Sequence, residues 1–206
     1  IREVSVVRQN ITAPAVESRI NGKTGILTVS RFNDDTVSAA RKAAREFIDR
    51  GVTKVIVDLR NNPGGTVDSA QGLLGLWLNN QVVLTERRGS ETVKTLNSTG
   101  SPILENIQTV VLINENSASA SEITAGALRD YGKAKLVGKK SYGKGSVQVV
   151  LDLSSGSQLK VTEARWYTPK GKNIDKEGIK PDVEVELTAD DVKNDKDPQL
   201  EKAESL

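Results

Sequence analysis

Strand–helix alternation over the first two thirds of the chain, then a strand-rich remainder, predicts an α/β domain on a mixed sheet. Three observations carry that prediction. The runs VTKVIVDLR and IQTVVLI are too apolar for exposed edges and read as buried strands. Between them lie segments whose apolar residues recur at helical spacing. The later run SVQVVLDL alternates and is β-branched, as a strand requires.

Taken in order, EVSVV near the start reads as an extended strand, followed by a linker carrying TAPAVESR, with a break at Pro14. TGILTVS, residues 24–30, is a short apolar strand. A helix is expected from about Asp35 to Asp49, because Val37, Ala40, Ala44, Phe47 and Ile48 share a face. Asn33, Asp34 or Asp35 can cap it, and Gly51 ends it. The strand VTKVIVDLR runs into the turn NNPGG, then the helix DSAQGLLGLWLN. QVVLTER and ETVKTL form a hairpin around Arg88-Gly89. After IQTVVLI comes a helix of small residues, SASEITAGALRD, stopped by Gly132. The strands AKLVG, SVQVVLDL and QLKVTEARWYT follow, with a turn at SSGS. DPQLEKAESL is a short helix with Asp197 capping and Pro198 in its first turn. No internal repeat is present.

Composition narrows the chemistry. With 206 residues the chain can bury one good core. Hydrophobic residues at 36% and charged ones at 27% are a soluble globular mixture. A net charge of +2, with no long basic stretch, excludes nucleic acid as an expected partner. No apolar run reaches membrane-spanning length, and the first ten residues lack the apolar centre of a signal peptide. Zero cysteines remove disulfides, thiolate catalysis and sulfur-ligated metals. Zero histidines remove imidazole metal sites and every triad built on a histidine base.

The segment NENSASASE, residues 114–122, offers serine nucleophiles, and the question is what activates one. GKKSYGKGS, residues 138–146, nearly matches a phosphate-binding loop, with Gly138, Gly143 and Lys144 in place. Gly145 then stands where the magnesium-binding hydroxyl belongs, and a strand follows instead of a helix. An NTPase is therefore set aside. A neutral lysine can replace histidine as general base, which requires its pKa to fall from about 10.4 to roughly 7–8. Burial of the amine supplies such a shift. Lys144, flanked by glycines and followed by an apolar strand, is expected to be buried. Alone, a G-K-G reads as an exposed turn lysine, and Ser117, Ser119 or Ser121 as a helix N-cap.

Together the motifs say more. DLRNNPGG, SASASEI and YGKGSVQ, in that order, resemble the carboxyl-terminal processing peptidases, also called tail-specific proteases. VESR, GKTGILTVSRF, TPKGKNID, GIKPDVEV and DPQLEKA extend the likeness over almost the whole chain. The resemblance implies a serine endopeptidase with a Ser-Lys pair on a crotonase/ClpP-like superhelical core. It assigns the nucleophile to Ser119 and the base to Lys144, 25 residues later, and gives Gln148 the task of orienting the lysine. Positions 144, 146 and 148 of a strand share one face, which agrees. For the oxyanion the expected donors are the N–H of Ala120, at a helix N-terminus, and a glycine N–H of NNPGG, with Gly65 favoured and Gly64 the alternative. Asp130 lies about 16 Å along the helix from Ser119 and reads as structural. Glu122 has no assigned role beyond helix-terminus electrostatics.

The same resemblance implies no metal and no organic cofactor. It implies a polypeptide substrate cut near its C-terminus, an extracytoplasmic location in the periplasm or cell envelope with membrane anchoring of the full protein, and a PDZ domain before the core. On that view residues 1–20 are the end of a PDZ domain plus a linker, 21–187 the protease core, and 188–206 a charged tail with a short helix. Relatives commonly have a proline-containing segment where this chain reads GKKSYG. A regulatory or adaptor partner and an oligomeric assembly are left open. The alternative function is a latent or non-catalytic peptide-binding module of the same fold.

Overall fold

Two sheets and five helices are built from the described residues, which are Ser5, 13–154 and 156–206 of a computed structural model. β1 (Val16–Asn21) and β2 (Thr24–Val29) form an antiparallel hairpin. Helix α1 (Thr36–Asp49) carries the chain to β3 (Lys54–Asp58), parallel to β2. After α2 (Val67–Leu74), the hairpin β4 (Val82–Arg88) and β5 (Glu91–Asn97) opens the second sheet. β6 (Gln108–Ile113) returns to lie beside β3, α3 (Ala120–Asp130) crosses over, and β7 (Ala134–Gly138) pairs with β6. The hairpin β8 (Ser146–Asp152) and β9 (Gln158–Tyr167) completes the second sheet, and β10 (Val183–Glu184), α4 (Ala189–Lys193) and α5 (Pro198–Ser205) follow.

The first sheet has the order β1-β2-β3-β6-β7-β10 and is parallel from β2 onward. Its parallel strands are laid down in chain order, so their order never reverses. The carboxyl ends of β3 and β6 consequently lie side by side, and the loops that leave them meet. Alternation decides which residue faces which layer. Leu27, Val29, Val55, Val57, Val111, Ile113 and Leu136 join Ala40, Ala44 and Phe47 of α1, Leu73 and Leu74 of α2, and Ile123 and Leu128 of α3 in one core. Their neighbours Ile26, Ile56, Val110, Leu112 and Val137 point the other way and pack beneath α5, with Leu200, Ala203 and Leu206. Burial on both faces is why these strands read as continuous apolar runs.

The second sheet has the order β5-β4-β9-β8 and rests on the core through Val83, Leu84 and Trp166, all buried. Its outer end is different. Leu151, Leu159 and Val161 are exposed on the β8–β9 hairpin, and the outer edge of β8 is unpaired among the described residues.

Several expectations need correction. EVSVV lies largely outside the described residues, but VESR, read as linker, belongs to β1 of the sheet. Its Glu17, Ser18 and Arg19 are exposed, so it gives little apolar signal. Helix α2 stops at Leu74 rather than running through the apolar LWLN, because Gly75 packs its backbone against Thr99: a Cβ there would sit 1.8 Å from the Thr99 carbonyl oxygen. Asp35 occupies the N-cap of α1 without a side-chain cap bond. Asn33 and Thr36 organise that entry instead: the Asn33 N–H donates to Thr36 Oγ1 at 2.9 Å and the Asp35 N–H to Asn33 Oδ1 at 3.2 Å. The short β10 and α4 were not foreseen.

Candidate active site

The loop between β6 and α3 resolves its own three serines. Ser117 donates its hydroxyl to the Leu59 carbonyl at 2.7 Å, Ser121 donates to the Asn62 carbonyl at 2.9 Å, and both are fully buried. They tie this loop to the one leaving β3. Ser119 alone of the three lines a cavity, of about 200 Å³. It is the N-cap of α3 with φ 56° and ψ −115°, a conformation that L-residues rarely adopt and that costs about 1–3 kcal/mol. Small neighbours, Ala118 and Ala120, leave room for such a sharp strand-to-helix turn, and the turn presents the serine at the cavity wall.

Glu122 holds the site together. Its carboxylate is fully buried and accepts four hydrogen bonds: from the Ser119 N–H at 2.9 Å, the Lys144 N–H at 2.9 Å, the Gly143 N–H at 2.6 Å and the Ser141 hydroxyl at 2.6 Å. Ser119 and Glu122 also occupy the N-cap and N3 positions of a capping box. One side chain thus fixes the backbone of the serine loop and that of the lysine loop to each other. Sequence reasoning missed this; S-x-x-E was the available signal, and it pointed only to the helix.

The lysine loop is also held from its other side. Trp166 Nε1 donates to the Lys144 carbonyl at 2.8 Å, and the Trp166 N–H to the Gly145 carbonyl at 3.0 Å. The flanking glycines are required: a Cβ on Gly145 would lie 2.5 Å from the Asp175 nitrogen, and one on Gly143 2.8 Å from the Gly178 nitrogen. The close backbone approach expected of them is therefore present. The expected burial of Lys144 is not. Its backbone is pinned, but the residue is exposed, because it precedes an edge strand and nothing described covers the cavity mouth. Lys144 Nζ has no hydrogen-bond or carboxylate partner among the described residues.

Two amide groups in the loops around Ser119 are unpaired among the described residues. The Gly64 N–H donates to Asn62 Oδ1 at 2.8 Å, a local Asx turn, whereas the Gly65 N–H makes no hydrogen bond among the described residues. The same holds for the Ala120 N–H, the first of α3. Gly64 lies against the Ser119 turn, where a Cβ would meet Ser119 Cβ at 2.8 Å and the Ala120 nitrogen at 3.0 Å. Gly65 has φ 146° and touches Phe32 so closely that no other residue fits. Asn62 was overlooked by sequence reasoning: fully buried, it also donates to the Val29 carbonyl at 2.7 Å and fastens the loop to the sheet.

Gln148 lines the same cavity as Ser119 and Lys144, with no side-chain hydrogen bond to the lysine. The strand argument for it needs amendment, since Lys144 precedes β8. Asp130, read as structural, accepts the Lys170 N–H at 2.9 Å and does not line the cavity. Val67, Leu84, Glu86, Ile123, Ser146, Val147 and Trp166 make up the rest of the wall. A larger depression of about 830 Å³ lies at the amino ends of β6 and β7, but no paired nucleophile and base line it. Among the described residues no group of three acidic side chains is placed to hold a metal ion.

Behind the β3 loop, Arg60 makes bidentate contact with Asp58 and Asp197 and donates to Gln199 Oε1 at 3.0 Å. Burial opposes its charge, but the hydrogen bonds and attraction of the two aspartates outweigh it, holding the guanidinium above its ordinary range. This ties α5 to the start of the NNPGG loop.

Known proteins resemble this chain in sequence and in fold. Residues 23–185 match Peptidase family S41. A probable CtpA-like serine protease of Staphylococcus aureus is 38% identical over 188 residues, covering 90% of this chain and 38% of its own. The photosystem II D1 C-terminal processing protease superposes with a TM-score of 0.80 at 31% identity, over 87% of this chain and 50% of its own. A putative peptidase from Parabacteroides merdae gives 0.73 over 95% of this chain and 65% of its own; at 17% identity it supports the fold alone. The chain thus spans well under half the length of the curated relatives it matches.

Proposed function

The chain belongs to peptidase family S41, and on that premise we propose that it is a serine endopeptidase cutting polypeptides near their C-termini through Ser119 and Lys144. Ser119 Oγ attacks the scissile carbonyl while Lys144 Nζ takes its proton. The Ala120 and Gly65 N–H groups, both without another acceptor, receive the developing oxyanion. The lysine then gives that proton to the leaving amine as the C–N bond breaks. Lys144 Nζ next takes a proton from water, which attacks the acyl-enzyme, and returns it to Ser119 Oγ as the acid departs. Gln148, on the same wall, orients the lysine once substrate closes the cavity. The location proposed for this work is outside the cytoplasm; no described helix is long and apolar enough to cross a membrane.

One observation carries the reading: Ser119 and Lys144 line one cavity while a single buried carboxylate holds both of their backbones. The test is cleavage of an unstructured protein such as casein. Ser119→Ala and Lys144→Ala should each keep the native circular dichroism and lose at least about 10³-fold in kcat/KM. Full cleavage by either variant overturns the assignment.

The exposure of Lys144 favours one refinement, a site that is latent until covered. A lysine base is needed neutral, and dehydration promotes that form. Substrate or a partner would supply the cover. A fluorophosphonate probe should then label Ser119 slowly in the isolated chain and faster once a covering peptide is added.

A further inference from the structure

Among the described residues Glu86 is the one acidic side chain lining the candidate catalytic cavity, and the function proposed above gives it nothing to do. It sits on β4, two residues after Leu84, so both point to the same side of the second sheet. Directly across from it on β9 is Trp166, which lines the cavity too. On its other side the opposite residue is Lys94 of β5, which does not come within ion-pair distance. Glu86 is half-buried and, among the described residues, has neither hydrogen bond nor ion pair. A half-buried acid facing a cavity without a partner is a place where a donor or a cation binds.

The remaining walls say which. Val67, Leu84, Ile123, Val147 and Trp166 give the cavity an apolar side, while Ser119, Lys144, Ser146 and Gln148 are its polar side. Lys144 shares the cavity with Glu86 without pairing with it, and the space of about 200 Å³ is smaller than the roughly 300–1,000 Å³ that holds a drug-sized ligand. It suits one side chain. Apolar walls with an acid among them match lysine and arginine, whose aliphatic stems cover apolar surface while the charged head meets a carboxylate. The cavity includes Ser119, so the side chain entering it belongs to the residue whose carbonyl the serine attacks. Resting on the proteolytic reading above, we propose that Glu86 is a specificity-determining residue that selects substrates with lysine or arginine at that position.

The experiment uses two peptides identical except for lysine or its uncharged analogue norleucine before the scissile bond. The full chain should favour the lysyl peptide on the order of 10- to 100-fold in kcat/KM. Glu86→Gln should bring that ratio close to one, and Glu86→Lys should shift preference to a glutamyl peptide. Cleavage by the unaltered chain without lysyl preference, or a preference surviving Glu86→Gln, overturns the proposal. So does an equal gain on both peptides in Glu86→Gln, which would show that Glu86 acts on Lys144 instead of on substrate. Binding of both peptides to Ser119→Ala, read by calorimetry, separates the two claims. A Glu86-dependent lysyl preference in binding with no cleavage by the unaltered chain sinks the proteolytic reading alone; neither binding preference nor cleavage sinks both.

Discussion

Glu122 accepts from Ser119, three residues before it, and from Lys144, 22 residues further along the chain, and its replacement is the most informative single change in the molecule. Glutamine keeps the shape but replaces one oxygen by an amide donor, which then faces the two donors that this oxygen had accepted from: Ser141 and Gly143 on one side, or Ser119 and Lys144 on the other. Leaving buried donors unmatched costs about 1–3 kcal/mol, more where the lost acceptor was charged. Glu122→Gln should therefore lower the urea midpoint and cut kcat by on the order of 10- to 100-fold, with KM less affected, because positioning rather than binding is lost. An unchanged kcat would show that the two loops hold their places without it. Gly64 is the companion case. A methyl group there meets the Ala118 oxygen, Ser119 Cβ and the Ala120 nitrogen at 2.7–3.0 Å, atoms of or next to the backbone that cannot turn aside. Gly64→Ala should abolish labelling of Ser119 by a fluorophosphonate while the far-UV spectrum stays native.

At the level of elements, the site is assembled by strand ends and held by turns. The sheet positions two loops, and the lysine loop is then wedged between Trp166 and residues 174–178. Gly145→Ala pushes a Cβ to within 2.5 Å of Asp175 backbone, so the loop must shift. The expected outcome is a destabilisation of about 1–3 kcal/mol and a loss of activity larger than that stability change explains; activity measured well below the melting temperature checks it. Elements with two buried faces were readable from the sequence, because Val55–Ile56–Val57 and Val110–Val111–Leu112 leave no polar alternative. β1 was hidden because an edge strand with Glu17, Ser18 and Arg19 outward shows no alternation of apolar residues. The overrun of α2 has the same root in reverse: Leu76 and Trp77 are buried, but in a turn, and Leu78 just after it, and burial alone does not distinguish a helix from a turn. The glycines around Lys144 announced the path of its backbone; the exposure of its side chain depends on what lies across the cavity, which no local pattern encodes. Glu122 and Asn62 escaped for that reason as well, since their partners are distant in sequence.

Across the whole molecule, the second face of the main sheet depends on α5. Arg60, Asp58 and Asp197 fasten that helix, and Asp197 also caps it by accepting the Leu200 N–H at 3.0 Å. Burial raises the Asp197 pKa, but the Arg60 and Leu200 hydrogen bonds outweigh it, and the net shift is downward from 3.8. A carboxyl group depressed on folding contributes stability above its unfolded value, and that contribution disappears as pH falls through the lower folded value. Acidification below about 3.8 should thus release α5 ahead of the rest, seen as faster amide exchange in 199–205; simultaneous exchange throughout would contradict this. Asp197→Ala should bring that release to neutral pH at a cost of about 2 kcal/mol. Docked in this way, with the Gln108 amide on the Leu206 carbonyl and the Lys54 ammonium on that of Glu204, residues 198–206 lie across the sheet from α3 and its serine. Those anchors keep Ile56, Val110 and Leu112 dry on that side, so a solvent that loosens the helix wets the back of the sheet before it reaches the cavity.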